Sequence, residues 1–373
     1  MNPRVAIIGL RAPGAEGGIE TVITETAPLL QQRSWDLSIF CRKRWNQHGS
    51  DWRGIKLINS PAVYTKHLET LTYASWSTLY ASLHKFDLIH FHAIGPGALA
   101  SIPRQLRIPS VLTVHGLDWR REKWGIGARL CLRLASSVAS RNANTVVAVS
   151  QESTEWFRRR GVAAIHVPNG ISPIESSPLE DAGVKHLKPG FKLYLGRLVP
   201  EKNIEVVLKA HKTLPHPGTL IIAGDTSHSD HYVRKLKRIA GPGVHFVGPK
   251  FGKAKAALLH HAEVMVFPSH LEGLPITMLE AMICGTPILA SNIPPHRELL
   301  GESAPQLVFD NSPENWMHRL SSHTTAESQS STLQAQKHAQ EQYSWDPIVD
   351  RISQIYRDTI QMSRKTSCGN GAF

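Results

Sequence analysis

At 373 residues the chain is too long for one ordinary hydrophobic core, and two domains are expected. With 41% hydrophobic and 19% charged residues it does not read as disordered, and its apolar runs fall far short of the ~18–20 residues of a spanning helix. The net charge of +12 is uneven, since residues 1–172 carry 21 Lys/Arg against 11 Asp/Glu and residues 173–373 carry 21 against 19.

Short apolar runs alternate with helical patterns, and the scheme occurs twice. The first half offers strands at 5–9, 37–41, 87–91, 110–115, 145–150 and 164–168, with helical spacing of Ile19, Val22, Ile23, Ala27 and Leu30 between the first two. A Pro-, Ser- and Gly-rich segment, 173–190, reads as a linker. Strands at 192–196, 219–224, 244–248, 263–268 and 287–291 follow, then a polar stretch at 321–342. Ile348, Ile352, Ile355 and Tyr356 form one helical stripe, and the residues from 363 on read as a tail. The pattern predicts an α/β chain of two doubly wound parallel-sheet domains, 1–172 and 191–344, with a last helix over 345–362. Ligands of such sheets bind beyond the carboxyl ends of the strands, so a site facing both domains is expected.

No leader precedes the first strand, and Cys41, Cys131, Cys284 and Cys368 are scattered. Reduced thiols and a cytoplasmic location are therefore expected. Basic clusters at 41–45, 118–124 and 156–161 each set tryptophan beside arginine. That pairing suits an anionic membrane surface or a nucleic-acid backbone, and with no nucleic-acid-binding signature the membrane is favoured.

The first strand runs into "GLRAPGAEGGIE", which invites a dinucleotide-binding reading. Arg11 stands where the second glycine of that motif belongs, and Cys41-Arg42-Lys43 replaces the acidic ribose ligand, so a dehydrogenase is disfavoured. Gly17-Gly18 before a helix can still offer amides to a phosphate. In "YLGRLVPEKN", Arg197 and Lys202 flank a turn after a strand, a planar fork and a point charge suited to a diphosphate. The chain has no Asp-x-Asp and no metal-ligand spacing, so no metal is expected, and His90, His92, His260 and His261 read as packing or capping residues. In "HLEGLPITMLEAMICGTP", Glu272 and Glu280 bracket a helix start at Pro275. Helix amides for an anion, with carboxylates for hydroxyls on either side, describe a nucleotide-sugar site.

"EGLPITMLEAMICGTP", "GRLVPEKN", "GGIE" and "VHGLD" together resemble the retaining GT-B glycosyltransferases of glycosyltransferase family 4 over nearly the whole chain. "YTKHLETL" and "VHGLDWRREKWG" look like the subgroup that builds bacterial exopolysaccharide, capsule and lipopolysaccharide, some of whose members transfer rhamnose. The resemblance implies that Arg197 and Lys202 hold the donor diphosphate, Glu280 the ribose and Glu272 the sugar. It assigns the amides around Leu274, Ile276 and Thr277 to phosphate and sugar, and Val247-Gly248 to the base. His115 would lie beside the sugar, and Gly17 and Gly18 would line the phosphate and acceptor region. Glu20 and Asp118 fall on the acceptor side, Asp118 as an alternative base to the leaving phosphate or as a helix cap. Pro275 stands where the family often has glycine, which removes one amide. Implied too are a UDP-, GDP- or dTDP-linked donor, no further cofactor, a lipid-linked saccharide acceptor at the inner leaflet, and a hinge made by the last helix. A sugar phosphorylase, a hydrolysing epimerase of the same shape and a non-catalytic nucleotide- or polyanion-binding module are the alternatives. The last leaves both glutamates unexplained.

Overall fold

The computed structural model describes residues 2–65, 68–120, 125–184, 187–225, 230–301, 304, 307–322 and 325–369. Trp124, on which part of the second basic cluster rests, and 370–373 of the expected tail lie outside them, as do 66–67 of "YTKHLETL" and 185–186 of the expected linker.

The contacts divide the chain into two compact units. The described residues of 2–120, 125–169 and 345–369 form the first, and those of 170–344 the second. In the first, the strands are β1 (Arg4–Ile8), β2 (Asp36–Arg42), β3 (Asp51–Trp52), β4 (Ile55–Ser60), β5 (Leu88–His92), β6 (Ser110–Val114), β7 (Thr145–Ala148) and β8 (Ala164–His166). Their order is β3-β4-β2-β1-β5-β6-β7-β8, parallel except for the β3–β4 pair. Val5 to Ile8 of β1 and all of β5 and β6 are buried, as strands covered on both faces must be.

The second unit holds β9 (Phe191–Leu195), β10 (Leu220–Ala223), β11 (Val244–Phe246), β12 (Ala262–Phe267), β13 (Ile288–Ser291) and β14 (Val308–Phe309). They run parallel in the order β11-β10-β9-β12-β13-β14. Each sheet reverses its winding once, at β1 between β2 and β5 and at β9 between β10 and β12. Ligands of doubly wound sheets settle at the carboxyl ends of such strands, here Gly9 and Gly196.

The segment expected as a linker belongs to the second unit. Leu179–Ala182 form a 3-10 turn packed on the helix Gly252–His261, and Leu179, Ala182 and Val184 are buried. A few apolar side chains spaced among prolines and serines suffice to dock it, which its composition hides. The last helix runs Trp345–Gly369, beyond the expected 362, because nothing in 361–368 breaks a helix.

That helix joins the first unit through its own side chains. Arg33 meets Asp350 at 2.6 Å and Asp346 at 3.0 Å, and Trp35 Nε1 donates to Ser353 Oγ at 2.8 Å. Buried Tyr356 has its hydroxyl 2.6 Å from His90 Nδ1, while His90 Nε2 lies 2.7 Å from Thr113 Oγ1. Removing the hydroxyl leaves a buried imidazole nitrogen without a partner, so Tyr356→Phe is expected to cost about 1–3 kcal/mol in urea unfolding. A loss under ~0.5 kcal/mol would show that the bond does not clamp the helix.

Candidate functional site

In the second unit β9 ends at Gly196, whose carbonyl oxygen would lie 1.8 Å from any Cβ at Gly224. The ends of β9 and β10 thus close on each other through a glycine, and the chain after β9 turns out as Arg197. Tyr194, buried beneath, donates to the Arg197 carbonyl at 2.8 Å. Burial, with Glu272 next, pushes the Tyr194 phenol well above its ordinary value, and Arg197 opposes them. Arg197 and Glu272 are thereby both neighbours of one ring. A 3-10 turn, Pro200–Lys202, and the left-handed Asn203 then present Lys202.

Lys202 ion-pairs with Glu272 across 70 residues, and Ser269 Oγ donates to the same Glu272 oxygen at 2.7 Å. Burial alone would raise the Glu272 carboxyl. Lys202, His296 and the hydrogen bonds from Lys202 and Ser269 outweigh it and hold the group below the usual carboxylate range. His296 is fully buried, with Nδ1 2.8 Å from the Ser291 carbonyl, so Nδ1 carries the proton and Nε2 is left as an acceptor. Burial presses its pKa down to about 4.

Pro275 caps the helix Ile276–Ile283. The first intrahelical bond is Met278 N–H to the Pro275 carbonyl, so the Ile276 and Thr277 amides head the helix before its ladder begins. Leu274 is buried just ahead of them. Glu280, one turn further, is also buried, and Lys255 Nζ meets its Oε1 at 2.5 Å. Each glutamate of the pair therefore has its own lysine. Sequence reasoning missed Lys255, because nothing on the helix Gly252–His261 marks a residue whose partner lies 25 positions on. It missed His296 as well. Val247 N–H bonds the Ile222 carbonyl and Gly248 C=O accepts from Gly224 N–H, so two of the backbone groups expected to meet a base are engaged by the sheet.

The first unit builds a different site at the end of β1. A Cβ at Gly9 would sit 2.1 Å from the His92 carbonyl oxygen, and φ there is +132°, so only glycine fits. The loop that follows is braced by Glu20, whose carboxylate accepts from Arg11 N–H at 3.0 Å and lies against Gly17. Gly17 heads the helix Gly18–Gln32 with no side-chain cap on its amides, and Glu20 stands in the first turn beside it. Glu20 itself is buried and positions the loop.

His115 follows β6 and bonds His92, with Nε2 and Nδ1 3.0 Å apart. His92 is buried, and its Nε2 has no partner. A small cavity is lined by Ile7, His90, His92, Thr113, His115 and Tyr356. Desolvation presses all three imidazoles down, His90 to about 3, His92 well below its ordinary value and His115 to about 4, so His115 is a neutral hydrogen-bonding group near pH 7. Asp118 opens the 3-10 turn Asp118–Arg120.

The tryptophan–arginine clusters do not form one exposed set. Trp119 is buried 4.5 Å from Trp156, Arg160 stacks on Trp156 at 3.8 Å, and Arg120 pairs with Glu152. Arg42 pairs with Glu69, and exposed Trp45 is covered by Arg11. Among the described residues no group of three or more His, Cys, Asp and Glu could hold a metal ion, and no helix is long and apolar enough to cross a membrane.

Residues 16–174 match the family description Glycosyltransferase Family 4, and residues 179–342 match Glycosyl transferases group 1. A glycogen synthase of Mycobacterium tuberculosis is 31% identical over 56% of this chain and 52% of its own, so the chain spans about half the length of that curated relative. A putative teichuronic acid biosynthesis glycosyltransferase of Bacillus subtilis is 27% identical over 60% of this chain and 57% of its own. Among solved structures, sucrose-phosphate synthase from Thermosynechococcus elongatus superposes with a TM-score of 0.81 over 97% of this chain and all of that one, at 22% identity. Anabaena HepE, in complex with UDP and glucose, gives 0.79 over 95% of this chain and all of its own, at 19%. The two parallel-sheet domains are those of the GT-B fold.

The buried histidines set a pH dependence. An unfolded histidine binds a proton near pH 6.5, while His90, His115 and His296 stay neutral in the folded chain down to about pH 3–4. The unfolded state then binds more protons, so stability should fall as pH drops from about 6.5 toward 4. In urea titrations His296→Gln should flatten that slope by about 1.4 kcal/mol per pH unit. An unchanged slope would mean that His296 is charged when folded.

Proposed function

The chain belongs to the two-domain glycosyltransferases of the family 4 and group 1 type, and from that premise we propose that it moves a sugar from a nucleoside-diphosphate donor to a saccharide acceptor with retention of configuration. The observation that carries the reading is the pair of lysine-held glutamates around the start of the helix Ile276–Ile283, with Arg197 sharing the Tyr194 ring with Glu272. Arg197, Lys202 and the Ile276 and Thr277 amides are the donors for a diphosphate. Glu280 accepts from the ribose hydroxyls and Glu272 from the sugar, while Leu274 and the Val247–Gly248 backbone border the nucleotide.

The transfer breaks the bond from the anomeric carbon to the phosphate oxygen and forms one to an acceptor oxygen on the same face. The departing phosphate oxygen takes the acceptor proton, with Asp118 the alternative base. Arg197 and Lys202 stabilise the charge gained by the leaving group, which is the group most in need of fixed positive charge. Neutral His115 donates or accepts a hydrogen bond at the sugar without adding charge. Gly17, Gly18, Glu20 and Asp118 lie on the acceptor side, in the first unit. No metal takes part in this scheme. The acceptor is a lipid-linked saccharide at the inner leaflet, and surface polysaccharide synthesis is the setting, as the teichuronic acid relative's name suggests.

Incubation with a panel of nucleotide-sugars and lipid-extracted acceptors tests the reading. Nucleoside diphosphate should appear only when an acceptor is present, and a chelator should leave the rate unchanged. Arg197→Ala/Lys202→Ala should slow turnover by roughly 100-fold or more. Dependence on free phosphate would indicate a phosphorylase, and release without any acceptor an epimerase. A fully active double variant would remove the diphosphate assignment.

A further inference from the structure

The first unit carries an apolar surface that neither its core nor its site accounts for. In the helix Ile126–Asn142, Ser136, Ala139 and Ser140 face inward, while Ile126 is 88% exposed, Leu130 59% and Leu134 58%. With Val138, also exposed, they are spaced four apart and so climb one stripe of the helix. Arg129, Arg133 and Arg141 are exposed along the same helix, which contains no acidic residue. The short helices Ile94–Gly97 and Ser101–Gln105 contact both this helix and Leu68–Leu83, so all lie on one face of the first sheet. That layer adds exposed Leu79, Leu83 and Leu106, with Lys85, Arg104 and Arg107 also exposed.

We propose that this face docks the first unit on an anionic lipid surface, with the helix Ile126–Asn142 lying in the interface. An apolar stripe beside arginines is what a helix in the headgroup layer requires: leucines enter the acyl boundary and long cationic side chains reach back to phosphates. Pairing with a second copy of the same helix would set its arginines against one another with no carboxylate to answer them. The docking surface differs from the tryptophan clusters, in which Trp119 packs on Trp156 and Arg11 lies over Trp45. A helix joining parallel β6 to β7 must run back along the sheet, so it begins at the carboxyl edge, where His115 also lies. Docking there delivers a lipid-carried acceptor to that edge, a use that rests on the transfer reading, although the docking itself does not.

Sedimentation of the full chain with phosphatidylcholine vesicles, with and without phosphatidylglycerol, tests the proposal at low and raised salt. Wild type should bind the phosphatidylglycerol vesicles and release as salt rises. Arg129→Ser/Arg133→Ser should weaken binding at low salt by about tenfold or more. Leu130→Ser/Leu134→Ser should do the same at unchanged thermal stability, since both side chains are already in water. As a second readout, a polarity-sensitive dye on exposed Cys131, in a Cys284→Ser/Cys368→Ser background, should shift to the blue on binding. Absence of binding at low salt, binding indifferent to the leucines, a dye that stays in water on bound chain, or a leucine-dependent dimer without vesicle binding would each overturn it. Lost vesicle binding with turnover of a soluble acceptor intact would sink the docking alone, and bound chain without turnover on any acceptor would sink the transfer reading alone.

Discussion

Two carboxylates largely withdrawn from water around one helix start each need a cation of their own, and this constraint organises the second unit. Lys202 comes from the turn after β9 and Lys255 from the helix before β12, so the pairs tie two other crossovers to the one that carries Glu272 and the helix Ile276–Ile283. Such pairs add little to net stability, because desolvating four charged groups offsets most of their attraction. Their use is to hold oriented acceptors beside helix amides, an arrangement a purely apolar contact could not supply. On the proposed reading a donor diphosphate would compete with Glu272 for Lys202, so the pair would respond to the charge of a ligand.

The first unit solves the opposite problem. Three imidazoles, two on β5 and one after β6, are held neutral by burial, and Glu20 braces the loop that follows β1 through the Arg11 N–H. His92 fixes the ring of His115, and His90 ties the sheet to the last helix through Tyr356. The cavity beside them is lined mainly by aliphatic side chains, with the three imidazoles, Thr113 and Tyr356 among its polar groups. The two units thus carry complementary chemistry on two sheets of the same winding.

Much of this was legible in the chain. The central strands announce themselves because both their faces are buried, and all eleven expected runs fall on strands. β3 and β14, of two residues each, are too short to leave a pattern, and β4 hides in "IKLINS", where exposed Lys56 and Asn59 interrupt the apolar run. Arg197, Lys202, Glu272 and Glu280 were visible because turn signals and a helix start fix their places locally. Lys255, His92 and His296 were not, since their meaning lies in partners brought near by the crossovers. The packing of the tryptophans was hidden too: composition cannot tell a ring in water from one stacked on a neighbouring arginine, as Trp156 is on Arg160.

Calorimetric titration of wild type and Glu280→Ala with UDP, GDP, ADP and dTDP tests the central claim most directly. The account predicts that one base series binds wild type and that the variant weakens it by roughly tenfold or more, the loss of charge-assisted hydrogen bonds to ribose. If no nucleotide binds wild type, or if the variant binds as tightly, Glu280 does not hold a ribose and the site assigned to the second unit is not a nucleotide-sugar site.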